Sequence, residues 1–218
     1  MPASLPARYK MNYSNSINLF PTATTADDAQ RAGFRFGAKG THTSRTMMFE
    51  ELNTVLSVAG THSRRQDYLA AIVDDNCLAK PTTATRRLTN QRLGELYGLD
   101  PSIPLFRVFR RLWEIDESSR RLLTLLCAVA RDPLLAATAS AIISLTDGAD
   151  YNRDPVKAAL RGIVGDRLND NILDKVVRNI ASSWSQSGHL EGRTFKKRRL
   201  VKATPATISF AQKAFGFA

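Results

Sequence analysis

The chain is poor in cysteine, histidine and uninterrupted apolar sequence. Its 218 residues include 2 cysteines and 3 histidines. Cys77 and Cys127 are too few for a disulfide framework and lack the paired spacing of a thiolate metal site. Each stands in an apolar helical pattern and reads as a small buried hydrophobe. His42 and His62 sit singly in polar sequence, and no ligand spacing links them. The longest apolar runs, "LLTLLCAVA" (122–130) and "LLAATASAIISL" (134–145), are separated by Arg131, Asp132 and Pro133. Neither reaches the roughly 18 to 20 residues that a membrane span requires. The first twenty residues lack the continuous apolar core of a signal peptide. These absences point to a reducing cytoplasm and to no membrane partner.

Chemical motifs are missing too. There is no P-loop and no G-x-G-x-x-G, so nothing supports a nucleotide cofactor. There is no G-x-S-x-G elbow. The "HLE" at 189–191 is an H-x-E, but the P-C-x-x-C that zinc deaminases also need is absent. The acidic pairs Asp27–Asp28, Glu50–Glu51 and Asp74–Asp75 are adjacent residues, which diverge on a helix and make poor metal clamps. The expectation is a protein without catalytic residues, cofactor or metal.

Acidic residues are scarce against basic ones. Lys and Arg total 31, Asp and Glu 20, giving a formal charge of +11. Such a balance concerns partners rather than fold, and polyanions such as nucleic acid come first. Hydrophobic residues make up 43% of the chain, enough to exclude a disordered polycation.

The pattern is mainly helical. Residues 1–44 are weakly patterned, and "RYKMNYSNSINLF" (8–20) and "GFRFGAK" (33–39) suggest short strands. Residues 45–99 carry helical periodicity in "RTMMFEELNTVLSVAG", "SRRQDYLAAIVDDN" and "KPTTATRRLTNQRLGELYG", the last divisible into two short helices recapped at Thr89. This set forms a candidate helix-turn-helix unit, with Arg86, Arg87 and Arg92 on its last segment. Residues 100–150 read as a helical core, with helices at roughly 104–115, 117–131 and 133–145. The polar "TDGADYNRD" (146–154) marks a boundary.

Residues 151–218 carry the strongest functional pattern. "DPVKAALRGIVG" (154–165) is a helix with Asp154 as cap and Gly165 as stop. "NDNILDKVVRNIASSWSQSG" (169–188) is a longer one. Ile172, Leu173, Val176, Val177, Ile180 and Trp184 form its apolar stripe. Lys175, Arg178, Asn179, Ser182, Ser183 and Gln186 occupy the other face, and these types reach phosphates and base edges. Behind Gly188, "HLEG" reads as a strand, "RTFKKR" as a hairpin tip and "RLVKA" as the return strand, and His189 stands near this wing, in reach of a phosphate. Arg193, Lys196, Lys197, Arg198, Arg199 and Lys202 place six cations within ten residues. Helix, turn, long helix and basic hairpin is the order of a winged helix-turn-helix, whose wing lies against phosphates while the long helix enters a groove.

The stretches "TRRLTNQRLGELYGLDPSIPLFRVFRRLW", "LCAVARDPLLAAT", "SSWSQSGHLEG" and "TPATISFA" occur in that order between Thr85 and Ala211. Together they resemble the BrxA family, small proteins encoded in bacterial BREX phage-defence operons. The resemblance covers roughly the last 60% of the chain and implies a cytoplasmic, mostly helical, non-catalytic protein acting beside a methyltransferase and an ATPase. It assigns no active site. Two functions follow. One is a double-stranded DNA binder with mainly phosphate contacts. The other is an adaptor whose basic face docks on other defence-system proteins. RNA is a third polyanion that the sequence leaves open, and oligomeric state is not legible in it.

Overall fold

Phe106, Phe109 and Trp113 recur at helical spacing, and Phe109 becomes the hub of the interior. The computed structural model describes residues 26–215. The predicted strand at 8–20 lies outside them. Along helix α5 (Pro104–Ile115), the buried Leu105, Phe106, Phe109 and Trp113 form one face. The Phe109 ring lies 6.1 Å from Tyr97, 6.2 Å from Phe106, 5.4 Å from Trp113 and 6.3 Å from Phe210. Rings at these separations gain from edge and offset contacts beyond simple burial.

The described chain is mainly helical. It runs α1 (Ala26–Ala32), α2 (Phe49–Val58), α3 (Arg65–Val73), α4 (Thr83–Tyr97), α5, α6 (Arg120–Arg131), α7 (Pro133–Ala137), α8 (Ala139–Ile143), α9 (Arg153–Val164), α10 (Asp170–Gln186), a hairpin of β1 (Leu190–Glu191) and β2 (Lys197–Arg198), and α11 (Pro205–Phe215). Buried apolar side chains from Ala29 to Ala214 join one cluster. Helix α6 is its centre and touches α4, α5, α7, α10 and α11.

Several expectations change in the structure. Residues 33–39 form no strand; the segment leaves α1 as coil, and Arg35 N–H bonds to Ala130 O. Residues 83–97 form one helix, because Thr82 caps it and Thr89 Oγ1 bonds back to Thr85 O within it. The helix expected over 133–145 breaks at Thr138, whose hydroxyl donates to Leu135 O. The cap of α9 is Asn152, whose side chain accepts from Asp154 N–H, so Asp154 falls inside the first turn. Residues 199–203 are coil and lead into α11, where Thr204 and Thr207 exchange main-chain and hydroxyl bonds and Pro205 takes the first helical position.

Four arginines terminate other helices. Arg110 donates to Leu56 O and Ala59 O at the end of α2, and Arg86 to Val73 O at the end of α3. Arg131 donates to Gly94 O and Glu95 O near the end of α4, and Arg121 to Gln186 O at the end of α10. A guanidinium there satisfies orphan carbonyls and complements the negative end of the helix dipole.

Candidate nucleic-acid interface

Asn169 caps α10 by accepting from Ile172 N–H at 2.9 Å. Leu173, Val176, Val177, Ile180 and Trp184 are buried as the period requires. Ile172, expected with them, is 41% exposed, since the stripe turns away from the core at the first turn. The opposite face is divided between two tasks.

One half grips residues 42–49. Asn179 Nδ2 donates to His42 O at 2.9 Å, and Gln186 Oε1 accepts from Phe49 N–H at 3.1 Å. Both were expected in a groove; both instead satisfy backbone groups of the segment packed on α10. Ser183 is fully buried and accepts from Met47 N–H at 2.8 Å. Its Oγ lies 2.8 Å from His42 Nε2, and His42 Nδ1 lies 2.8 Å from Asp132 Oδ2. The order serine, histidine, aspartate is that of a nucleophile, base and orienting acid. All three residues are 0% exposed. Ser183 also donates to Asn179 O, while Asp132 accepts from His42, Leu134 and Leu135 N–H groups. The set is a closed lock joining the N-terminal segment, the α6–α7 junction and α10. Burial raises the Asp132 carboxyl, but the His42 imidazole and the N–H donors outweigh it and hold the group below the ordinary range. Gly40 is required beside it, since a Cβ there would lie 2.1 Å from Asp132 Oδ1.

The other half of the face remains open. Lys175 and Arg178 are exposed and Ser182 is half-buried. Arg178 and Ser182 look across to the hairpin.

In that hairpin Leu190 pairs with Arg198 and Glu191 with Lys197. Residues 148–151 run along the free side of β2. Gly148 N–H bonds to Arg198 O, Arg198 N–H to Ala149 O and Tyr151 N–H to Lys196 O, each at 2.8 Å. Strand β2 therefore lies between β1 and the turn before α9, which meets it through a single bridge, Asp150 to Lys197. The order from α8 on is helix, bridge, helix, helix, strand, loop, strand, with the hairpin following α10 directly.

The register decides which cations face outward. Arg198 shares the inner side with Leu190 and is 5% exposed; its Nη1 donates to Arg199 O and His189 O. It braces the hairpin and cannot reach a phosphate. Lys196 is half-buried and donates to Ser185 Oγ at 2.8 Å and Gly192 O at 2.9 Å, and burial lowers its ammonium below the ordinary lysine range. Lys197 faces Asp150 at 3.6 Å, and Arg199 bonds to Glu191 at 2.6 Å. Arg193 and Lys202 are exposed, with no carboxylate in contact among the described residues. His189, expected within reach of a phosphate, is instead buried edge-on against Trp184. Burial, with Arg198 nearby, pushes its imidazole down to about 4.

Between α10 and the hairpin loop lies a cleft of about 620 Å³. Arg153, Arg178, Arg193 and Lys196 line it, with Tyr151 and Phe195 between them. The Tyr151 hydroxyl is buried without a hydrogen-bond partner, and burial pushes it up to about 12 despite Arg153. Arg153 and Arg178 lie near enough to Asp174 to help lower its carboxyl, after the Lys157 hydrogen bond that dominates the shift, but Lys157 is its ion-pair partner, at 2.8 Å. Asp150 is the single acid at the rim.

Known protein families and curated proteins give no match. The segment "SSWSQSGHLEG" forms the junction from α10 to β1, so it sets the angle of the hairpin against the helix.

Arg86, Arg87 and Arg92 do not line the cleft. Arg86 terminates α3, and Arg92 pairs with Glu95 at 2.8 Å. Arg87 is exposed. The sequence reading missed Tyr151, Arg153 and Phe195 as wall residues, and His42 as part of the lock. The "ADYNRD" segment carried the signal for the first two, since it combines extended-favouring and cationic residues directly before a helix. Among the described residues no group of three or more His, Cys, Asp or Glu could hold a metal ion. No helix among them is long and apolar enough to cross a membrane.

Proposed function

We propose that this protein binds duplex DNA through α10 and its hairpin, as a non-catalytic accessory component of a BREX-type phage-defence system. The observation that carries the reading is the cleft lined by Arg153, Arg178, Arg193 and Lys196 against a single acid, Asp150. When a helix occupies a major groove and the following wing covers the adjacent minor groove, the phosphate strand dividing the grooves runs between helix and wing. Here that channel holds Arg153, Arg178, Arg193 and Lys196, and Lys175 extends it along α10. The contacts are to phosphate, so affinity depends steeply on salt and weakly on sequence. The defence role rests on the resemblance of the four segments between Thr85 and Ala211 to the BrxA family.

Fluorescence anisotropy on a labelled duplex, titrated across salt, tests the DNA reading. Changing Arg153, Arg178 and Arg193 together to Gln is expected to reduce the salt slope by about 2 to 3, since each lost phosphate contact removes roughly 0.9. The variant must keep its wild-type unfolding midpoint. An unchanged slope, or no wild-type binding at moderate salt, refutes the DNA reading. The cleft is then a docking surface for an acidic subunit of the same defence system, which is the adaptor function.

A further inference from the structure

Phe195 is 85% exposed, the most exposed large apolar side chain among the described residues. It stands at the tip of the hairpin loop, with Thr194 before it and cations at 193, 196 and 197. Arg193 and Lys197 are exposed on either side of it, and Lys196 beside it is tied back to Ser185 and Gly192. The loop is tight: Gly192 has φ +108, and a Cβ there would lie 2.1 Å from Phe195 O. Pairing of 148–151 and of β1 with β2 holds the loop from both sides. A fixed loop therefore presents one aromatic ring to solvent within a positive rim, on the wall of the same cleft as Arg178 of α10.

Resting on the DNA reading above, we propose that Phe195 is a wedge that enters the minor groove and wedges between two base pairs. If the phosphate strand fills the cleft, the hairpin tip lies over the neighbouring minor groove. Apolar side chains placed there next to arginine part a base step and bend the duplex. The charge around Phe195 favours this polyanion over an apolar protein partner, because the exposed Arg193 would lie buried against an apolar face that offers it no counter-charge. The wedge adds a preference for flexible pyrimidine–purine steps that the phosphate contacts lack.

The test uses the full chain with Phe195→Trp and Phe195→Ala. Both native tryptophans, Trp113 and Trp184, are buried, so an introduced indole reports on the loop tip wherever the protein sits on the duplex. Stacking in a base step is expected to quench its emission and shield it from acrylamide. End-to-end energy transfer on a doubly labelled duplex should report a bend with wild-type and Phe195→Trp. Phe195→Ala should lose the bend and about tenfold in affinity while its salt slope is unchanged. DNA binding with an unquenched, acrylamide-accessible indole, or an unchanged bend in Phe195→Ala, overturns the wedge and leaves the cleft reading intact. Absence of all DNA binding overturns both. Loss of a defence-subunit interaction in Phe195→Ala, with DNA binding unaltered, assigns the ring to a protein contact and overturns the wedge.

Discussion

Replacing Asp132 by alanine opens the lock at its most connected member. The carboxylate accepts from His42 N–H at 3.0 Å, His42 Nδ1 at 2.8 Å, Leu134 N–H at 3.0 Å and Leu135 N–H at 3.3 Å. The two leucine bonds cap α7, and loss of such a cap costs about 1 kcal/mol. A hydrogen bond to a buried charge contributes about 1.5–3 kcal/mol, and its loss leaves the main-chain N–H and Nδ1 of the fully buried His42 without their acceptor. Together these give a loss of about 4 kcal/mol. In urea, at a slope of about 2 kcal/mol/M, the midpoint should fall by about 2 M. Asp132→Asn keeps the shape and one acceptor, so about half that loss is expected. Amide exchange adds a local readout: His42 and Met47 N–H, bonded to Asp132 and Ser183, should lose protection first. A loss below about 1 kcal/mol for Asp132→Ala would refute the lock, because three enclosed, saturated side chains cannot give up their centre so cheaply.

Two further outcomes follow from particular groups. His189 is held neutral in the fold down to about pH 4, whereas the unfolded chain takes up its proton near 6.5. Stability from this group is complete above pH 6.5 and falls by about 3 kcal/mol as pH drops through that window to 4; urea titrations of wild type and His189→Gln should differ in slope only there. Arg178→Glu and Arg198→Glu should separate binding from folding: the exposed Arg178 variant loses DNA affinity at unchanged thermal midpoint, while the 5% exposed Arg198 variant loses several kcal/mol of stability. Equal thermal midpoints for the two would refute the inward register of β2.

The sequence carried α9 and α10 because their apolar residues keep strict helical spacing and their caps are local. It placed the return strand too late. Lys196 to Arg199 are four consecutive cations, which show no alternation, and only pairing with Leu190 reveals that Arg198 turns inward. Helix α11 was overlooked although Thr204 and Pro205 mark its start, since a short terminal helix after a basic run has weak periodicity. The lock was invisible for a different reason: His42 meets partners 90 and 141 positions away. Asn179 and Gln186 lie on the polar side of α10 as read, but periodicity cannot say whether a polar side meets water or a neighbouring backbone.

The arginines that close helix ends divide the chain's charge into an inward and an outward share. Arg110 and Arg131 are buried, and their bonds to carbonyls are buried or partly so. At about 1 M salt the screening length shrinks to roughly 3 Å, which dissolves contacts to a polyanion outside but scarcely reaches these. The fold should therefore tolerate brine strong enough to strip bound nucleic acid. A high-salt wash would yield the protein free of cellular polyanion and still native, ready for the binding titrations.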